Sequence, residues 1–252
     1  MFAAVSVAAG VVVAGMALPA AGAIGGGAQA AVEVYGGLPT EFTTPPLPRK
    51  SVVTAADGTE IATLYAENRV EVPLEAMDVD LQHAIVAIED SRFYEHNGVD
   101  LRGTARALAN NAAGQEVQGA STITMQYVKN VLVTTADTPE EAEAATAVTP
   151  SRKLQEMRDA IEVEKELTKA QILNNYLNIS YFGAGAYGAE AAALRFFSKP
   201  ASDLTLSQAA LLAGLVQSPT VYDPTVDPAA AEARRNVVLD RMLELGYITP
   251  ED

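Results

Sequence analysis

Residues 81–98 read LQHAIVAIEDSRFYEHNG, and this stretch decides the fold class. Its first part carries apolar residues at the spacing of one helix face, namely Leu81, Ala84, Ile85 and Ile88. The helix ends in two adjacent carboxylates, which are followed by an aromatic pair, a histidine and a glycine that permits a turn. The pattern predicts an apolar helix that carries acidic side chains at its C-terminal end.

On either side of this stretch, helical spacing dominates from about residue 70 to residue 252. Two further apolar sets are Leu101, Ala105 and Leu108, and Leu154, Met157 and Ile161. Capping boxes are predicted at Thr168-x-x-Gln171 and Thr205-x-x-Gln208. Before the helices, β-rich runs at 51–54 and 61–65 flank Asp57-Gly58 and predict a hairpin. We therefore predict a mainly α domain over residues 51–252, with a small β-hairpin near its start.

The segment Thr134–Pro150 interrupts the helical pattern with Ala, Thr and Glu residues. We interpret it as a mobile acidic loop between two helices.

The N-terminal segment is apolar, and no side chain from Met1 to Val32 is charged. Nineteen residues from Phe2 to Ala20 would form a helix of roughly 30 Å, which matches a bilayer core. Residues 1–24 are predicted to be a transmembrane anchor, and residues 25–50, rich in Gly, Ala, Thr and Pro, a linker. A signal peptide cleaved near Ala28-Gln29-Ala30 is the alternative, and both interpretations send the domain outward.

The composition narrows the classes of function. The net charge of −15 argues against nonspecific nucleic-acid binding, which needs a surplus of Lys and Arg. The chain has no cysteine, so disulfides and thiolate metal sites are excluded. The only histidines are His83 and His96, which excludes a histidine-rich metal site.

The adjacent carboxylates of Glu89 and Asp90 are the first candidate for chemistry. A helix C-terminus disfavours negative charge, and the two carboxylates repel each other. Both effects raise a carboxyl pKa, which suits a general acid or base near neutral pH. A solvated helix end with an ordinary cap is the alternative interpretation.

Two other segments combine hydroxyl, amide and charged side chains. In the first, Ser121 and Thr122 precede an apolar helix, where they either cap the helix or donate to sugar hydroxyls and phosphate oxygens. Gln126 and Lys129 follow, three residues apart on one helix face. In the second, Arg152, Lys153 and Glu156 share a helix face. They form either a surface ion pair worth about 0.2–0.5 kcal/mol or a carboxylate held beside a basic patch.

Together and in this order, these segments resemble the transglycosylase domain of class A penicillin-binding proteins, glycosyltransferase family 51. Its E-D-x-x-F-x-x-H-x-G motif is matched by Glu89, Asp90, Phe93, His96 and Gly98. Its G-x-S-T-x-T-Q-Q motif is matched by Gly119, Ser121, Thr122, Thr124 and Gln126, with Met125 in place of the first glutamine. Its R-K-x-x-E motif is matched by Arg152, Lys153 and Glu156. Its K-x-x-I-L-x-x-Y-L-N motif is matched by Lys169, Ile172, Leu173, Tyr176, Leu177 and Asn178. The closing segment of the family resembles Leu211–Leu215, Gln217-Ser218-Pro219, Tyr222-Asp223-Pro224 and Arg234-Arg235.

The resemblance implies a lysozyme-like helical fold with a membrane-facing lobe, an uncleaved anchor and lipid II as substrate. Glu89 takes the place of the catalytic glutamate of the family, and Glu156 lies across the cleft as the second carboxylate. The expected substrate-binding residues are Arg92, Ser121, Thr122, Gln126, Lys129, Arg152 and Lys153. No cofactor is required, and a divalent cation, Mg²⁺ or Mn²⁺, is left open. The implied partners are lipid II, the growing lipid-linked glycan chain, the bacterial cell membrane and other wall-synthesis or division proteins.

Two alternatives belong to other classes. A lytic enzyme that cleaves peptidoglycan also uses a glutamate, but it needs neither cations for a pyrophosphate nor a membrane tether. A non-catalytic scaffold for cell-wall synthesis would not need both glutamates. The S-x-x-K and K-[ST]-G motifs of a transpeptidase domain do not occur in this chain. We therefore expect the chain to be either a monofunctional enzyme or one part of a bifunctional enzyme, and we favour the second.

Overall fold

The computed structural model describes residues 42, 46–48, 51–64, 67–104, 106 and 121–252. The strands are β1 (Ser51–Thr54), β2 (Glu60–Leu64), β3 (Asn68–Arg69), β4 (Tyr181–Gly183) and β5 (Ala186–Tyr187). The longer α-helices are α1 (Val79–Glu89), α2 (Ile123–Thr134), α3 (Pro139–Thr146), α4 (Pro150–Glu166), α5 (Lys169–Ile179), α6 (Ala189–Phe197), α7 (Leu206–Leu215) and α8 (Pro228–Glu244). Residues 101–104 are also helical, and short 3-10 helices lie at Leu74–Ala76 and Ala201–Asp203. The described part is therefore mainly α, as predicted.

Local signals in the sequence set several element boundaries. β1 and β2 pair antiparallel, which confirms the hairpin. Both predicted capping boxes form, with Thr168 starting α5 and Thr205 starting α7. The prediction of a loop over Thr134–Pro150 is wrong, because α3 lies inside it. Thr138 caps α3, and the fixed φ of Pro139 suits the first turn of the helix. Acidic side chains in that turn interact favourably with the helix dipole.

The helices pack in two groups that meet at the end of α1. α1 lies against α7 and α8, which also pack on each other, while α2 packs against α3, α4 and α5. The apolar face predicted for α1 is buried at Leu81, Ala84 and Ile85. A small sheet that the sequence did not predict, in the order β3-β5-β4, pairs β3 parallel to β5.

Gly98 brings the loop after α1 into contact with α4. Its φ of +82° lies in the left-handed region, which residues other than glycine rarely adopt. A Cβ atom at this position would lie 2.6 Å from the carbonyl oxygen of Ala160. Only glycine allows this close approach. The contact packs the loop of the first motif against α4, the helix that holds the third motif.

Several predictions fall outside the described residues: the anchor at 1–24, nearly all of the linker at 25–50, and the residues Ala105, Leu108 and Gly119. Within the part that is described, no helix combines the length and apolar character needed to cross a bilayer.

Candidate active site

Glu89 is the last residue of α1, and a side chain of α2 holds its carboxylate. Gln126 donates from Nε2 to Glu89 Oε2 at 2.7 Å, and the hydroxyl of Tyr176 donates to Gln126 Oε1 at 3.1 Å. These two bonds fix which way the amide of Gln126 points. No side chain or backbone group in the described ranges donates to Glu89 Oε1. As far as the described residues go, that oxygen is left to accept a proton from a bound molecule.

The surroundings of Glu89 raise its pKa above the ordinary glutamate value. Burial is the largest cause, and the nearby charge of Asp90 adds a smaller effect. The bond from Gln126 and the charges of Arg234 and Lys129 act in the opposite direction. The sequence predicts a raised pKa for this carboxyl, and the structure agrees. The main cause is desolvation, rather than the helix end and Asp90 on which the prediction depends.

We expect Glu89→Gln to raise the melting temperature at neutral pH. Because the folded-state pKa of Glu89 is raised, the folded wild type bears the cost of a partly buried charge once the pH exceeds that pKa. The cost vanishes as the pH falls toward the unfolded value of 4.5, where both states bind the proton. Melting curves from pH 8 down to about pH 4 should show the advantage of the variant disappearing on acidification. Glu95→Gln, at an exposed position, is the control, and an advantage of Glu89→Gln that is independent of pH would contradict this account.

Asp90 is a structural neighbour of Glu89. Its buried carboxylate lies 2.9 Å from His96 Nε2 and accepts from the backbone N–H of Ile123 at 3.1 Å. Asp90 thereby joins the end of α1 to the loop that follows and to the first turn of α2. This link places Gln126 beside Glu89.

The start of α2 uses its hydroxyl residues in different ways. Thr122 is buried, donates to the carbonyl oxygen of Gly98 at 2.5 Å and accepts from the N–H of Met125 at 3.1 Å. Its hydroxyl therefore caps the helix, and substrate binding by Thr122 stays a prediction. Ser121 accepts from Lys153 Nζ at 2.6 Å. Met125, which stands where the family has glutamine, is fully buried in the core.

Arg152, Lys153 and Glu156 form one cluster on α4. The side chain of Glu156 is only 4% exposed, so the alternative of a surface ion pair does not apply. Lys153 Nζ lies 2.7 Å from Glu156 Oε1, and Arg152 pairs with the other carboxylate oxygen. Because Lys153 also reaches Ser121, the second and third motifs are joined.

Lys129 and Arg92 have contrasting surroundings. The side chain of Lys129 is partly buried, forms no hydrogen bond or ion pair within the described residues, and acts on Glu89 through its charge. Arg92 forms an ion pair with Asp100 and lowers the pKa of that carboxyl to about 2. Arg92 also lines a groove of about 600 Å³ whose other wall includes Leu154 and Met157. Lys129 therefore belongs with Glu89 and Gln126, whereas Arg92 faces this groove.

The site predictions omitted Arg234, although its charge acts on Glu89. The Arg234-Arg235 pair was visible in the closing segment of the sequence. A separation of 145 positions from Glu89 gave no sign that this charge would act on it.

A protein-built metal site does not fit these residues. The described ranges contain no group of three or more His, Asp or Glu side chains that could hold a metal ion. Glu156 is the second carboxylate of the site, but both of its oxygens accept hydrogen bonds from the cationic side chains of Arg152 and Lys153.

Comparisons with known proteins agree with the resemblance seen in the motifs. Residues 57–243 match the family described as Transglycosylase. The chain is 43% identical over 204 residues to penicillin-binding protein 1A of Mycobacterium tuberculosis, covering 80% of the chain and 24% of that protein. It is 41% identical over 225 residues to penicillin-binding protein 1A of Aquifex aeolicus, covering 87% of the chain and 29% of that protein.

A crystal structure of penicillin-binding protein 1A from Haemophilus influenzae aligns with a TM-score of 0.44 at 24% identity. That alignment covers 83% of this chain and 20% of the other. The chain thus spans about a quarter of the length of these relatives.

Proposed function

The chain belongs to the transglycosylase family, and from this premise we propose that it is a peptidoglycan glycosyltransferase that polymerises lipid II into glycan strands. The observation that carries the proposal is the setting of Glu89. Its carboxylate has a raised pKa, is held by Gln126 at 2.7 Å and lies near Lys129, a cation without a partner among the described residues. A proton acceptor beside a free positive charge suits transfer from a donor whose leaving group is an anion.

In the proposed reaction, Glu89 is the general base. The acceptor hydroxyl oxygen attacks the anomeric carbon of the growing chain as Glu89 takes the hydroxyl proton. The bond between that carbon and the pyrophosphate oxygen breaks, and the electron pair leaves with polyprenyl pyrophosphate. Attack opposite the leaving group inverts the anomeric configuration. A positioned base contributes roughly 10²–10⁴-fold to such a step.

The departing pyrophosphate needs positive charge, which we assign to Lys129, Arg152 and Lys153. Glu156 is the second carboxylate, and its contacts with Arg152 and Lys153 support a role in positioning them.

The remaining substrate-binding residues are proposed to contact the sugar and acceptor parts of the substrate. We assign these contacts to Ser121 and Gln126, with Arg92 in its groove toward the acceptor. Thr122, expected from the motif to bind substrate directly, instead supports Ser121 through the helix cap that its buried hydroxyl makes. The enzyme is proposed to need no cofactor of its own. A Mg²⁺ or Mn²⁺ ion would arrive bound to the pyrophosphate oxygens, since the described residues offer no fitting donor set.

The proposed setting is the outer face of a bacterial cell membrane. Residues 1–24 would be a single-pass anchor, residues 25–50 a linker, and residues 51–252 an extracytoplasmic, lysozyme-like catalytic domain. Uncharged residues from Met1 to Val32 support the anchor, and a lipid-linked substrate requires an enzyme at the membrane. The growing glycan chain and other wall-synthesis or division proteins are the proposed partners.

The function is tested by giving the full chain, in detergent micelles, either labelled lipid II or preformed glycan strands. We expect lipid II to be converted into a ladder of longer products on a gel and the glycan strands to remain intact. Shortening of the strands without use of lipid II would identify a lytic enzyme. No change in either substrate by folded protein would favour the scaffold.

We expect Lys129→Ala and Arg152→Ala each to reduce the rate of polymerisation by roughly 10- to 100-fold, the value of a hydrogen bond to a charged group. Both variants remove positive charge assigned to the pyrophosphate, and Arg can contact two oxygens at once. Glu140→Ala is the control, because Glu140 is exposed in the first turn of α3. Initial rates on labelled lipid II measure the effect, and equal losses in all three variants would show that the cations are misassigned.

A further inference from the structure

Tyr176 lies on α5, which packs against α2. Its side chain is fully buried, and its hydroxyl donates to Gln126 Oε1 at 3.1 Å. The amide nitrogen of Gln126 donates in turn to Glu89 Oε2 at 2.7 Å. The two contacts form one chain of hydrogen bonds, which links the tyrosine hydroxyl to the proposed base through the amide.

Both hydrogen bonds in this chain run toward the carboxylate. The hydroxyl donates to the amide carbonyl, and the amide N–H donates to a carboxylate oxygen, which only accepts when it is ionised. Hydrogen bonds in such a chain polarise one another, so donation to the carbonyl makes the amide N–H a stronger donor. Burial raises the pKa of the Tyr176 hydroxyl well above its ordinary value, so the hydroxyl keeps the proton that it donates.

The helix that carries Tyr176 is held near both of its ends. At its start, Lys169 lies 2.7 Å from Glu164 Oε1 of α4, and the hydroxyl of Thr124 in α2 donates to the same oxygen at 2.6 Å. Near its other end, the amide of Asn178 exchanges hydrogen bonds of 2.9 and 3.0 Å with one backbone residue that precedes α1. Because Tyr176 lies between these contacts, the position of its hydroxyl is fixed relative to α2.

The same interface holds a second buried tyrosine with a different set of contacts. Tyr127 follows Gln126 on α2, and its hydroxyl accepts from Asn175 Nδ2 at 3.3 Å. Among the described residues, no side-chain hydrogen bond links Tyr127 or Asn175 to Glu89 or Gln126. Tyr127 therefore joins α2 to α5 without belonging to the chain that ends at Glu89.

We propose that Tyr176 is a positioning residue: its hydroxyl holds the Gln126 amide so that the amide N–H donates to Glu89 Oε2, which leaves Glu89 Oε1 to take the proton of the acceptor hydroxyl. This assignment rests on the proposed function, because that function gives Glu89 the role of base. Without the hydroxyl, the amide carbonyl loses its donor, and the amide can turn its oxygen toward Glu89. An amide oxygen there would favour the protonated carboxyl over the ionised one.

The other charges that act on Glu89 are unchanged by the loss of this hydroxyl. Asp90 is the next residue along the chain, Lys129 comes from α2 and Arg234 from α8. α7, which also packs on α1, has no charged side chain. A changed titration of Glu89 in Tyr176→Phe would therefore report on the chain through Gln126.

The test is Tyr176→Phe in the full chain, with Tyr127→Phe as the matched control because it removes a buried hydroxyl from the same interface. We expect Tyr176→Phe to lower kcat for polymerisation by roughly 3- to 10-fold, the value of one hydrogen bond, with KM unchanged. The acidic limb of kcat/KM should move to higher pH. In a carbon-13 NMR titration without substrate, Glu89 should bind its proton several-fold more tightly in this variant. Tyr127→Phe should behave like wild type in each measurement.

The role of Gln126 is tested by making Tyr176→Phe in a Gln126→Ala background, where it should change neither kcat nor the titration of Glu89 further. An effect of undiminished size in that background would overturn the proposal, as would equal effects in Tyr127→Phe or an unchanged titration in Tyr176→Phe. Tyr176→Phe too unstable to titrate would assign the hydroxyl to the fold and overturn it as well. Because the titration needs no turnover, a wild-type chain that makes no polymer would count against the proposed function alone.

Discussion

Replacing Glu89 with Gln is expected to reduce polymer formation from lipid II by at least about 100-fold, the lower range for loss of a general base. Glutamine keeps the size of the side chain, and its carbonyl oxygen can still accept from Gln126. It cannot accept a proton from the acceptor hydroxyl. The measurement is the initial rate of polymer formation, made together with a melting curve to show that the variant is folded.

The control for this experiment is Glu140→Gln, which removes a carboxylate at an exposed position in the first turn of α3. Its rate should stay close to that of wild type. Binding of a lipid-linked substrate analogue to Glu89→Gln should survive, because the cations assigned to the pyrophosphate are untouched. Normal polymerisation by folded Glu89→Gln would show that Glu89 is not the base.

Gly98→Ala is expected to have the largest effect on stability, about 2–5 kcal/mol. Of this, about 1–2 kcal/mol comes from a side chain at a φ of +82°. A further 1–3 kcal/mol or so comes from overlap with the carbonyl of Ala160, 2.6 Å from the new Cβ. A backbone movement that relieves this overlap would disturb the hydrogen bond that Thr122 donates to the carbonyl of Gly98, and with it the cap of α2. Chemical denaturation of the full chain measures the loss.

Gly246→Ala separates the two causes. Gly246 has a similar φ of +75°, but a Cβ atom added there would have no described atom within 4 Å beyond its chain neighbours. It should therefore show only the backbone cost of about 1–2 kcal/mol. Equal losses for the two variants would mean that the contact between Gly98 and α4 contributes nothing.

Local patterns predicted the helices and hairpin because their causes lie within a few residues. The capping boxes at Thr168 and Thr205 and the hairpin around Asp57-Gly58 are signals of this kind. The predicted loop is wrong at Pro139–Thr146 because the cap at Thr138 and the proline that follows it start a helix despite the acidic composition. The three-stranded sheet was missed because β3 and β5 are too short for a pattern and more than 100 residues apart.

The sequence singled out residues for the candidate site but not the contacts that join them. The order of the motifs singled out Glu89, Gln126 and Lys129, and the structure brings the last two to Glu89. Spacing along a helix was enough to join Arg152, Lys153 and Glu156. Burial of Glu89, capping by Thr122 and the approach of Arg234 all depend on contacts between distant segments, which no periodicity in the chain encodes.

The central claim is glycosyl transfer from a lipid-linked donor, and the most direct test counts the leaving group. The full chain would be incubated with labelled lipid II in detergent micelles, and released polyprenyl pyrophosphate would be compared with the glycosidic bonds formed. We expect one pyrophosphate for each new glycosidic bond, and we expect both products to be lost in Glu89→Gln. A folded wild-type chain that forms no bonds and releases no polyprenyl pyrophosphate would contradict it.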